Sequence, residues 1–171
     1  MKRLTLLTLA LCAGCLDSGA VNTDELDVSA VIDGEPYNGG GAAAWFAFAE
    51  PPWLLLFPAQ ALQGSLLGWA AGDTGTWDLA FQEACESDCN WFQYQSGGAT
   101  YVSASGTLTI DLWTAIEPEN AFDTRIGIIE GTFDSSLSCW MGCEGQPESV
   151  EITGGAFAAM VSETAEGDTS E

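Results

Sequence analysis

Six cysteines are the side chains best equipped for chemistry in this 171-residue chain, and their spacing sorts them. Cys85-x-x-x-Cys89 and Cys139-x-x-x-Cys143 form two pairs, while Cys12 and Cys15 stand near the start. An even set of four, in a compartment that oxidises thiols, predicts disulfides among Cys85, Cys89, Cys139 and Cys143. A four-thiolate zinc site is the rival, but structural zinc sites more often use a two-residue spacer. The pairing stays open, because four cysteines allow three connectivities. A bridge between the two pairs, across roughly fifty residues, would contribute about 4 kcal/mol through chain entropy, against about 2 kcal/mol for a local one. Neither pair has the Cys-x-x-Cys spacing or a basic neighbour that would lower a thiol pKa, which argues against redox catalysis.

The rest of the chemical inventory is defined by what is missing. The chain has no His, and its basic residues are Lys2, Arg3 and Arg125 against 25 acids. Ser-His, Cys-His, lysine-based and His-metal constellations are therefore excluded together, and no enzyme activity is expected. Glycoside hydrolysis needs only two carboxylates at a suitable separation, so it stands as the second alternative, although no pair is singled out among so many. Calcium is the one cofactor for which ligands abound; Asp24, Glu25 and Asp27, or Glu117 and Glu119, are dense enough to consider. None follows the Asp-x-Asp-x-Asp-Gly spacing of a calcium loop, so no cofactor is expected. Spread over a surface, the same carboxylates keep a protein dispersed, and they repel nucleic-acid phosphates.

Seven tryptophans, at positions 45, 53, 69, 77, 91, 113 and 140, supply the remaining functional side chains. Exposed indoles stack on sugar rings, which makes a carbohydrate-binding module the first alternative, with Trp45 and Trp53 as the stacking candidates. The competing role is to fill a core, for which Trp77 is well placed by its alternation with polar neighbours.

The first residues read as an address. Lys2 and Arg3 precede an apolar run from Leu4 to Leu11 that is too short to span a bilayer. Ala13-Gly14-Cys15 then resembles the lipobox of bacterial lipoproteins, which implies lipidation of Cys15 and cleavage just before it. Cys12 departs from that pattern, standing where Leu is usual. Ordinary secretory cleavage after Ala20 would instead release a soluble protein. Residues 1–14 are thus expected to be a signal peptide and 15–25 a flexible tether, with the membrane as a partner through the lipid. Leu16 after the cysteine resembles lipoproteins sent to an outer membrane. Removal of residues 1–14 takes away Lys2 and Arg3 and no acid, leaving a charge of −24.

Beyond residue 25 the pattern has a period of two. Leu26, Val28, Ala30 and Ile32 alternate with polar neighbours up to the turn pair Asp33-Gly34. Trp77, Leu79 and Phe81 alternate likewise, as do Leu108, Ile110 and Leu112. Ile129, Gly131, Phe133 and Leu137 share a face, and Val150 and Ile152 lead to a break at Gly154-Gly155 before Phe157 to Val161. These signals predict one all-β domain over 26–162, an antiparallel β-sandwich or small barrel with two disulfides. Ala42 to Gly72 carries one charge, Glu50, and is cut by Pro51, Pro52 and Pro58 into buried strands or an exposed apolar patch for a partner. Residues 163–171 have too little apolar surface to pack and are expected to be disordered.

Ile32-Asp33-Gly34-Glu35-Pro36-Tyr37, Gly106-Thr107-Leu108-Thr109-Ile110, Gly131-Thr132-Phe133 and Ile152-Thr153-Gly154-Gly155-Ala156-Phe157 together resemble short bacterial lipoproteins of unassigned function with one all-β domain. The resemblance implies a compact β domain and no particular activity. The expectation is an exported, lipid-anchored envelope domain that is structural or binds a polysaccharide or envelope protein. Intact mass spectrometry of the mature protein checks this: it should begin at an acylated Cys15, and reduction should add the hydrogens of two disulfides.

Overall fold

The computed structural model describes residues 26–58, 60–81 and 89–164, so the signal, the tether and Cys85 lie outside the described residues. The protein is all-β, with ten strands: β1 (Asp27–Ile32), β2 (Glu35–Gly40), β3 (Ala42–Phe46), β4 (Trp53–Leu56), β5 (Leu62–Leu67), β6 (Gly75–Asp78), β7 (Trp91–Ser96), β8 (Ala99–Ala115), β9 (Arg125–Met141) and β10 (Ser149–Glu163). They form a single sheet, antiparallel except where β3 runs parallel to the end of β10. The hydrogen-bonded path β10–β3–β4–β5–β7–β8–β9 returns to β10, so these ladders make a closed circuit. β1 and β2 extend from β10, and β6 pairs with β8.

Turn chemistry sets the hairpins. Asp33 and Gly34 have φ of 49° and 85°, the left-handed pair that a tight two-residue hairpin requires, and they join β1 to β2. Gly97 and Gly98 do the same between β7 and β8. β2 lies at an edge of the sheet, where Pro36 need not donate a ladder hydrogen bond.

At the centre, Phe57, Phe92, Phe133 and Phe157 are buried against one another, with ring centroids from 4.7 to 6.4 Å apart. Two glycines make room for them. In the β9–β10 register Phe157 faces Gly131 and Phe133 faces Gly155, so each ring lies over a glycine of the opposite strand. A Cβ on Gly131 would sit 2.8 Å from Cζ of Phe157, and one on Gly155 2.7 Å from Cδ2 of Phe133. The Gly-x-Phe pieces are therefore one reciprocal packing device, in which bare backbone accepts an aromatic ring.

Bulges set the rest of the register. Between Ile110 and Leu112 a register shift reverses the alternation, so that Leu112 is 43% exposed and Trp113 turns in to pack on Trp69. Sequence alternation had placed Leu112 inside. The break at Gly154-Gly155 is likewise a bulge within one continuous β10. Another, between Ser103 and Ser105, brings Ser103 into the core, where its hydroxyl accepts from the Phe92 amide and lies 3.0 Å from the Ser135 hydroxyl. Ser135 in turn donates to the Ser105 carbonyl, so both buried hydroxyls are satisfied. The strand expected from Trp77 to Phe81 stops at Asp78, with Leu79 buried just beyond. At the C-terminus, Glu163 belongs to β10 and the Thr164 amide donates to the Trp45 carbonyl, two residues into the expected tail; the remainder lies outside the described residues.

A Gly131→Ala substitution tests the packing device, because its methyl would meet the Thr109 carbonyl oxygen as well as Phe157. Urea unfolding should show a loss of about 1–3 kcal/mol or more.

Candidate outer-face binding site

β3, β4, β5 and β7 are short, adjacent strands whose inward positions are set by Ala43, Leu54, Leu56, Leu62, Leu66 and Phe92, all buried. Alternation then puts Ala44 and Phe46, Trp53 and Leu55, Gln63, Ser65 and Leu67, and Trp91 and Gln93 on the outer face. Register aligns them in rows: Phe46 beside Trp53 beside Leu67, Ala44 beside Leu55 beside Ser65 beside Trp91, and Gln63 beside Gln93. Phe46 and Trp53 are stacked, with centroids 4.1 Å apart and planes 5° from parallel. Phe48 meets Phe46 edge-on at 6.0 Å and is 47% exposed.

None of these outward positions carries a charge, on a chain of net charge −22. Every Asp and Glu of the described residues except Asp123 is exposed, and none occupies these outward positions, although Asp123 and Glu163 line a cavity with Phe48. On the adjoining ladder the first outward carboxylate is Glu130 of β9, opposite Ala158.

The two stacking candidates separate here. Trp53 stands on the wall, but Trp45 points inward, where its Nε1 donates to the Trp69 carbonyl at 3.3 Å and its ring meets Trp69 edge-on. Trp69 is fully buried, and Trp45, Trp77 and Trp113 pack against the core. The wall residues not singled out from sequence are Phe46, Leu55, Trp91 and the two glutamines. Their signal was the alternation itself, which becomes readable once Leu54 and Leu56 are known to face inward.

The predicted thiol chemistry resolves locally. Cys139 and Cys143 are joined, four residues apart in sequence. Cys89 is disulfide-bonded as well, and not to either of these, so no bridge links it to the second pair. A loop this short corresponds to about 2 kcal/mol of chain entropy. The bridge flanks Trp140, 46% exposed and leaning on Phe81 at 5.3 Å. Cys15 lies outside the described residues.

Arg125 is fully engaged. Its Nε and one terminal nitrogen donate to the two Asp123 oxygens at 2.8 Å each, and the guanidinium reaches Glu119 at 3.3 Å. Hydrogen bonds from the Arg125 side chain, then from the Glu119 and Arg125 amides, hold the Asp123 carboxyl well below the usual carboxylate range. Such a shift suits a structural ion pair and is opposite to what a general acid for glycoside hydrolysis needs. The pair braces the β8–β9 loop, which presents Phe122 93% exposed at its tip. Among the described residues, no three His, Cys, Asp or Glu side chains gather into a metal site, and no helix is long and apolar enough to cross a membrane. No known protein family, curated protein or solved structure matches the chain.

Because the Asp123 pKa is lowered on folding, its ion pair supports the fold above about pH 4 and that support is lost as pH falls through the lower folded value. Thermal melts between about pH 5 and pH 2 should fall less steeply for Asp123→Asn than for the wild type.

Proposed function

We propose that this chain is an exported, lipid-anchored envelope domain that binds rather than catalyses, and that it binds through the outer face of β3, β4, β5 and β7. The observation that carries this reading is the segregation of charge: an aromatic, uncharged wall on an otherwise acidic surface. Contiguous apolar surface is avoided on soluble monomers unless something covers it, and here Phe46, Trp53 and Trp91 are half-buried beside an exposed Phe48. The absence of His from the whole sequence and the engagement of Arg125 by two carboxylates support a non-catalytic role.

Export is supported by the signal-like first fifteen residues and by disulfides in the domain that follows. Acyl chains on Cys15 would hold the domain at a membrane surface, while its net negative charge keeps it off anionic headgroups. An outer-membrane location follows from Leu16 after the cysteine.

Fractionation of producing cells tests the anchor. The wild-type protein should sediment with membranes and leave them on detergent extraction, whereas Cys15→Ser should either keep its signal peptide or appear as soluble protein. Wild-type protein found soluble, with a mature N-terminus at Val21, would replace the anchor with simple secretion.

A further inference from the structure

We infer that the ligand of the outer wall is a neutral glycan chain, lying with its sugar rings against Trp53 and Trp91. This rests on the reading of the wall as a binding surface and adds the chemical class of what it binds. Charge comes first. An anionic chain would approach through the field of a −22 protein, and a cationic one would find no carboxylate on the wall to pair with. A neutral partner alone meets neither penalty.

The wall is also not uniformly apolar. Gln63 and Gln93 are half-buried register partners across β5 and β7, whereas Ser65, between Leu55 and Trp91 in the row above them, is buried. A primary amide both donates and accepts, as a hydroxyl does. A sugar ring offers both kinds of surface at once, C–H faces for an indole and hydroxyls for an amide. An acyl chain or an apolar helix face would cover the Gln93 amide without offering it a hydrogen-bond partner, at a desolvation cost, whereas the Gln63 amide already donates to the Gln60 carbonyl at 3.1 Å. Trp53 is preorganised, because the stacked Phe46 ring covers one of its faces. Trp53 and Trp91 are two strands apart across the sheet and two residues apart along it, a span of about 12 Å between backbones that suits a short run of sugar units.

The test is affinity electrophoresis of the mature protein in native gels cast with laminarin, xylan, galactomannan or soluble starch, and with alginate as an anionic control. At least one neutral polysaccharide should retard the wild type and alginate should not. Trp53→Ala and Trp91→Ala should each weaken that retardation about tenfold, and Gln93→Ala severalfold, with unchanged melting curves. If Trp53→Ala fails to fold, Trp91→Ala and Gln93→Ala carry the test. Indifference to all four neutral polysaccharides, or retardation untouched by both Trp substitutions, overturns the glycan assignment. Binding of phosphatidylcholine vesicles, or concentration-dependent self-association in sedimentation, that is lost in Trp53→Ala would overturn it while leaving the wall as a binding surface. No binding in any of these assays would overturn both.

Discussion

Two aromatic rings seated on two opposing glycines are what the rest of this structure depends on. Phe157 over Gly131 and Phe133 over Gly155 lock β9 to β10 in a single register, because sliding either strand by one residue would drive a ring into a side chain and turn every core residue outward. Phe57 and Phe92 then complete the centre from the other side of the circuit. A small β domain closed by many non-local pairings needs such a hub, since each ladder is individually weak and its loop entropy must be offset by shared packing.

Once the interior is filled by one face of each strand, the other face is free to be specified separately. In β9 and the first half of β10 it is polar and acidic, with Glu130, Asp134 and Glu151 pointing out. In β3, β4, β5 and β7 it is aromatic, aliphatic and amide. Stability does not demand the difference, because both walls share the same core. The uncharged wall is therefore the part of the surface on which the proposed function rests.

The cysteines take a smaller part than their prominence in the sequence suggests. The Cys139–Cys143 bridge ties the end of β9 to the turn that follows it, a local clamp on a strand already paired on both sides. Arg125 acts similarly at the other end of β9, where its fork to Asp123 fixes the turn from β8.

Much of this was legible without coordinates. The period-two runs, the Asp33-Gly34 turn, the break at Gly154-Gly155 and the face shared by Ile129, Gly131, Phe133 and Leu137 all follow from local backbone rules, and they suffice for an all-β domain. The lack of His removes His-dependent constellations by composition alone. Alternation cannot say which residues oppose each other across strands distant in sequence, nor where a bulge reverses its phase. Leu112 lies outside and Trp113 inside because one extra residue is accommodated in β8 against β9, and Trp45 and Trp53 part company because Trp45 pairs with the inward Leu54 while Trp53 pairs with the outward Phe46. The gathering of Trp53, Trp91 and two glutamines on one wall was likewise decided by strand order, a property of long-range hydrogen bonding that no short window of sequence contains.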